Sequence, residues 1–206
     1  MAAVTPPSRP ARSRPRRGRP EETRDRLVAT AADVFNRVGY HGTDSNRIAR
    51  AAGYAAGTFY RHFPDKRAVL LAAYARWVTR EWADVARVVR SGGAGPVVAA
   101  HLVDMVVDLH RRWRGLRASL RALVAEDATA RAFYRGQRRR QLALLENLAG
   151  AGPGRRERYA VLLYTLERVA DAIADGELRA TRVAVAPTVG LLRELLVPLL
   201  DGTSRT

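Results

Sequence analysis

The sequence predicts an all-α fold, and three observations carry that expectation. Apolar residues recur with the 3.6-residue helical period, no stretch alternates as a half-buried strand would, and glycine or proline punctuates the segment ends. Leu27, Ala31, Val34, Phe35 and Val38 form the first stripe, which Gly39 closes. A Gly/His/Thr/Asp/Ser turn leads to a short helix from about Asn46 to Ala52, then Gly53, then a second short helix to Phe63. Pro64 and Asp65 suit the first turn of a long helix reaching about Val89. The glycine-rich run from Ser91 to Pro96 is a loop, after which Val98, Leu102, Met105, Val106, Leu109 and Trp113 share one face. Further helices are expected near 116–125 and 128–149, a break at 150–154, and two last helices near 155–175 and 184–197. That makes about nine helices, with no repeat of fixed period.

Composition bounds what such a protein can do. The chain has 206 residues, 47% of them hydrophobic, enough for one domain or two small ones with a real core. It has no cysteine, which removes disulfide scaffolds, thiolate zinc sites and cysteine nucleophiles, and suits a reducing cytoplasm. No apolar run nears the ~18 residues that span a bilayer, and the basic N-terminus lacks the apolar stretch of a secretion signal. A formal net charge of +16 favours a polyanionic partner, with nucleic acid ahead of anionic membrane. Of 36 basic residues only Lys66 is lysine. Arginine in such bulk follows GC-rich codon usage, so its placement is what informs. Residues 1–20 hold six arginines, repeated prolines and no acid, and are expected to form a disordered tail.

The informative stretch runs from Gly39 to Leu70: GYHGTDSNRIARAAGYAAGTFYRHFPDKRAVL. It reads as two helices of about two turns joined at Gly53, where a tight bend needs positive φ. Ile48, Ala49 and Ala52 give the first a small apolar face, and Phe59 and Phe63 give the second a larger one. Helices this short must pack on a third, which the Leu27–Val38 stripe supplies. The product is a three-helix unit whose second short helix can enter a major groove about 12 Å wide.

This stretch resembles the helix-turn-helix of the TetR family of transcriptional regulators. The likeness rests on Ile48-Ala49, Ala52-Gly53, Gly57, Phe59-Tyr60, His62-Phe63, Lys66 and Leu70 in register. It implies an N-terminal DNA-binding domain over 21–66 and a helical ligand-binding and dimerisation domain over 67–206. The family's tyrosine, histidine and lysine commonly contact phosphates, and they match Tyr60, His62 and Lys66. Phenol, imidazole and ammonium groups all suit phosphate oxygens. Thr43 resembles a threonine that often contacts the DNA backbone, with N-capping by Thr43, Asp44 or Ser45 as the other reading. Gly57 would let backbone approach closely, while Phe59 and Phe63 are core.

The departures from the pattern bear on base reading. Tyr54-Ala55 replaces the usual Val-Ser, so the customary serine cap is missing, and Ala56 stands where a longer polar residue is frequent. Ala55, Ala56 and Thr58 offer only methyl or hydroxyl contacts, such as packing on a thymine methyl. Tyr54 either reads a base edge or shields the turn, and Arg47 and Arg61 are either base readers or solvated arginines. In the tail, Arg17-Gly18-Arg19-Pro20 resembles the core of minor-groove AT-hooks, where extended arginines meet enhanced negative potential. Its alternative is a cationic leader that raises nonspecific affinity alone.

The resemblance implies a homodimer, an inverted-repeat operator and a small-molecule effector, in the cytoplasm and associated with the nucleoid through DNA. Leu162, Leu166, Val169 and Ile173 on one helix and Val185, Val189, Leu192 and Leu196 on another are the expected dimer residues, with burial inside one subunit as the other reading. Candidates for the effector pocket are Trp82, His101, Met105, Trp113, Phe133, Tyr134, Tyr164 and Glu167, whose aromatics suggest a hydrophobic or aromatic molecule. Arg138-Arg139-Arg140 reads chiefly as a solvated face, with an anionic ligand as the other reading. No cofactor or metal is expected: His101, Asp104 and Asp108 share a face but read as solvated charges, and no nucleophile-and-base set or phosphate-cradling glycine motif stands out. A repressor is the favoured function, against a ligand-independent regulator or an architectural DNA-binding protein. An enzyme is not expected.

Overall fold

The computed structural model describes residues 20–200. Among them lie ten helices and no strand: α1 (Pro20–Val38), α2 (Ser45–Ala51), α3 (Ala56–His62), α4 (Lys66–Arg90), α5 (Gly95–Arg112), α6 (Arg114–Glu126), α7 (Ala128–Ala149), α8 (Arg155–Asp175), α9 (Glu177–Ala180) and α10 (Val185–Leu200). Arg17 and Arg19 lie outside the described residues. The helix that periodicity misses is α9, a single turn with no buried residue and so no apolar stripe. Helix α1 starts earlier than its stripe, because Pro20 is tolerated in a first turn and Glu21 and Glu22 favour the positive end of the helix dipole.

Aspartates begin three helices. Asp44 caps α2 by accepting from the Arg47 N–H at 2.8 Å, Asp65 caps α4 from the Ala68 N–H, and Asp127 caps α7 from the Ala130 N–H. Asp127 also accepts from Arg67 at 2.8 Å, and Arg67 pairs with Asp65, so the first turns of α4 and α7 are tied together. Gly53 has φ +82°, the left-handed bend that the α2–α3 turn needs.

Helices α1 to α3 enclose an apolar core of Leu27, Phe35, Ile48 and Phe59, all fully buried. Helix α1 then continues onto the body of the protein. Its Asn36 donates from Nδ2 to the Arg112 carbonyl at 2.9 Å, and accepts at Oδ1 from the Gly115 and Leu116 amides at 2.9 and 3.1 Å. Three otherwise free backbone groups at the α5–α6 corner are thus satisfied by one side chain. The backbones approach so closely that a Cβ on Gly115 would stand 1.9 Å from the Asn36 carbonyl oxygen.

The far side holds the residues expected at the subunit interface. Ile173, Leu192 and Leu196 are buried inside the protomer, and Leu162, Leu166, Val169, Val185 and Val189 are half-buried against its core. The stripe left exposed is a neighbouring one: Val161 and Tyr164 on α8, Leu191 and Leu195 on α10. Helix α10 is apolar on more than one face, so periodicity alone could not say which face turns to α5 and α8.

Candidate nucleic-acid interface and inner cavity

Helix α3 stands out from the apolar core on Phe59 and Phe63, whose rings lie 5.8 Å apart. Its outer face carries Gly57, Tyr60 and Arg61, with Ala55 exposed just before it and Ala56, Thr58 and His62 half-buried. Tyr60 is 53% exposed, its phenol free to meet a partner. Among the described residues no atom outside its own helix and chain neighbours lies within 4 Å of a Cβ built on Gly57, so none of them demands glycine there. Arg61 donates to the Thr58 hydroxyl at 3.1 Å, coupling two of the expected DNA-facing residues. Ala55 supplies no side-chain cap to α3, leaving its first amides unbonded by any side chain.

Other expected contacts are already engaged. Lys66 is expected at phosphate, but its ammonium donates to the Tyr40 and Thr43 carbonyls, each at 2.9 Å, and sits 4.3 Å from the Tyr40 ring centre. Two of its three N–H groups therefore close the α1–α2 turn, and Lys66 is first a structural tie. Thr43 is buried, so the cap falls to Asp44. Arg47 is exposed and also donates to the Gly42 carbonyl at 3.2 Å. Tyr54 is half-buried in the turn, with the Arg26 guanidinium over its ring at 5.8 Å.

The body holds a cavity of about 70 Å³ bounded by α4, α5, α7, α8 and α10. Trp82 and Glu167, two of the expected ligand residues, line it; so do Val85, Leu102, Val106 and Leu145. The rest of the expected set is scattered. His101 is exposed, Tyr164 is half-exposed on the outer face of α8, and Trp113 borders a separate groove beside α1. Phe133 packs edge-on against Tyr74, and Met105 is half-buried. Tyr134 accepts from Arg138. Asp104 pairs with Arg193 and Asp108 with Arg111, and among the described residues no group of three His, Asp or Glu side chains is arranged to hold a metal ion.

Behind the cavity wall lies a charged cluster that helical periodicity does not announce. Arg117 donates to Asp171 at 2.7 Å and to Glu167 at 3.3 Å. Arg138 bonds Glu167, Tyr134 and Gln141, so it is not the solvated arginine its run suggests. His110, 0% exposed, has Nδ1 3.0 Å from Asp171 but misaligned for a bond, and Nε2 4.0 Å from Glu81. Burial pushes the His110 imidazole below its usual value and so favours the neutral ring. Burial alone would raise Asp171 and Glu167; His110 and Arg117 beside Asp171, and Arg138 and Arg117 beside Glu167, outweigh it and hold both below the usual carboxylate range. Glu81 has no such bond among the described residues. Burial first, and Glu167 second, push it up to about 8. A signal is present in the sequence: Glu81 follows Trp77 and Val78 on one stripe, and His110 follows Val103, Val106 and Val107 on another, each a polar residue at a core register.

Residues 27–73 match the model for bacterial regulatory proteins of the tetR family. The HTH-type transcriptional regulator UidR of Escherichia coli is 25% identical over 181 residues, 87% of this chain and 81% of that protein. The HTH-type transcriptional repressor KstR of Mycobacterium tuberculosis is 33% identical over 124 residues, 58% of this chain and 55% of that protein. Among solved structures, the transcriptional regulator FadR of Bacillus subtilis in complex with stearoyl-CoA shares the fold at a TM-score of 0.63 and 16% identity, over 84% of this chain and 97% of that one. Among the described residues no helix is long and apolar enough to cross a membrane.

Proposed function

Since the chain belongs to the tetR family of bacterial regulatory proteins, we propose that it represses transcription from an inverted-repeat operator until a small apolar effector enters the body and releases it. The observation that carries the reading is the outer face of α3. Tyr60 is exposed over a rigid apolar base, and Gly57 sits beside it with no neighbour among the described residues to require a glycine. A partner that approaches the backbone closely accounts for both. Tyr60 and His62 take phosphates, Thr58 and Arg61 read or position as a pair, and Ala55 and Ala56 pack on base methyl groups. The arginine-rich segment before α1 adds further phosphate or minor-groove contacts, so its removal lowers the salt dependence of binding.

One recognition helix reads too few bases, so two copies are needed, with half-sites ~34–36 Å apart or more. The exposed Val161, Tyr164, Leu191 and Leu195 stripe supports a twofold pairing of α8 and α10. The effector site is the cavity beside Trp82, because its apolar wall fits a hydrophobic or aromatic molecule and α4 leads from it to the α3 side. A hundredfold preference for the unbound state, about 2.7 kcal/mol, suffices to release DNA.

The test is selection of bound sequences from a random DNA pool by the purified protein. A palindromic winner, preferred by ~10³ or more over random DNA, is the expected result. Enrichment of no sequence overturns the repressor reading in favour of an architectural role.

A further inference from the structure

With all its carboxyls ionised, the buried cluster would be short of one positive charge. It contains three carboxyls, Glu81, Glu167 and Asp171, against two buried guanidiniums, Arg117 and Arg138. Arg121 touches Asp171 from the surface but is matched by Asp175, and burial pushes the His110 imidazole below its usual value, which disfavours a charge there. Both guanidiniums are committed: Arg117 to Asp171 and Glu167, Arg138 to Glu167, Tyr134 and Gln141. The carboxyl left over is Glu81. It is 6% exposed, accepts no hydrogen bond among the described residues, and lines the apolar cavity beside Trp82, Val85 and Leu102.

An isolated buried carboxylate is costly, and among the described residues Glu81 accepts no hydrogen bond, with the His110 Nε2 standing 4.0 Å away. An anionic head group entering the cavity would meet Glu81 and find no free base. A neutral molecule would leave the imbalance as it was. A cation would complete the cluster.

We propose that the cavity takes an apolar molecule ending in one protonated amine, seated as a hydrogen-bonded ion pair on Glu81. The proposal rests on the reading of this cavity as the effector site and adds the chemistry of the effector's polar end. In the empty protein Glu81 keeps a proton up to pH about 8, because of burial and of Glu167. The groups around it are His110 from α5, Arg117 from α6, Arg138 from α7, Glu167 and Asp171 from α8, and Tyr74 on its own helix. An arriving ammonium displaces that proton to solvent, since the carboxylate then has a partner. The cavity of about 70 Å³ is far below the ~300 Å³ of a drug-sized pocket, so the apolar tail must part the helices that bound it, α4 among them.

Matched probes test this: n-hexylamine and phenethylamine against n-hexanol and phenethyl alcohol, titrated calorimetrically into the full chain at pH 7 in buffers of different ionisation enthalpy. The amines are expected to bind at least tenfold more tightly than the alcohols, and to release about one proton per molecule at pH 7 and almost none near pH 9. Glu81→Gln is expected to abolish the amine preference and the proton release while the alcohols bind as before. Alcohols that bind as well as the amines, or amines that bind with no proton release, overturn the proposal and leave the effector site standing. Failure of both series to bind overturns the effector reading of the cavity and the proposal with it. The proton count on the unmodified protein keeps the proposal testable even if the variant folds poorly.

Discussion

The two ends of the molecule are built on opposite rules. Around α1 to α3 the interior is apolar apart from the hydroxyls of Thr23, Thr43 and Ser45, with no buried charge, while the body buries Glu81, Arg117, Arg138 and Glu167 in its centre. Apolar packing gives a rigid platform at little electrostatic cost, as a surface that must present Tyr60 in one orientation requires. Buried charge does the reverse. A hydrophobic replacement of the whole cluster would often be neutral or stabilising, so its presence argues for a role beyond stability. The difference teaches that the head is built as a rigid apolar platform and the body around a buried charged cluster.

Four variants break or sharpen that contrast. The largest effect is expected from Arg117→Met, which strands Asp171 and Glu167 without their shared partner. It should lower unfolding stability by ~3–5 kcal/mol in denaturant titrations, against almost nothing for an exposed arginine such as Arg61. A stability loss below about 1 kcal/mol, the usual worth of a surface pair, would mean that the cluster is not a coupled unit.

Next comes pH. Unfolded, Glu81 loses its proton near 4.5; folded, it keeps it to about 8. Between those values the folded state binds more protons, so this group's contribution favours folding at low pH and is lost as pH rises toward 8. Glu81→Gln should remove that slope, which is about 1.4 kcal/mol per pH unit within the window. Melting curves of the two proteins should diverge from pH 5 to 8 and run parallel above. Parallel curves throughout would place the carboxyl in contact with solvent.

Gly115→Ala acts on the junction between the two regions. Its methyl meets the Asn36 carbonyl, so α1 and α6 must separate, at about 2 kcal/mol in stability and with weaker operator binding. Unchanged operator affinity would show the head to be independent of this contact. The smallest effect is expected from Tyr60→Phe, which leaves stability unchanged. Loss of one charge-assisted hydrogen bond, about 1.5 kcal/mol, weakens operator binding about tenfold on every sequence, as a phosphate contact does. A loss confined to particular base changes would make Tyr60 a base reader.

The head is legible in the sequence because its signals are local. Gly53 at its bend, Asp44 before α2 and the Phe59–Phe63 spacing each depend on neighbours a few residues away. The tie made by Lys66 is not legible for the same reason: its partners, Tyr40 and Thr43, stand more than 20 residues earlier, so its spacing in the motif cannot reveal them. The body is legible as helices and little more. Arg117 meets Glu167 across 50 residues and Arg138 meets it across 29, and no periodicity encodes which faces meet. The inner face of helix α10 is not legible either, since Leu192 and Leu191 are equally apolar and only packing against α5 and α8 tells them apart.

The Asn36 contact with Gly115 also limits how far the two regions can be treated as exchangeable parts. A chimaera that joins this head to another body at the start of α4 inherits Asn36 but meets whatever residue the new body has at its α5–α6 corner. Where that residue has a side chain, the graft fails sterically before any signal can pass. Designers who wish to rewire the output of such a sensor should therefore move the asparagine and the glycine as a pair, and draw the boundary of the interchangeable module around that corner rather than at the end of α3.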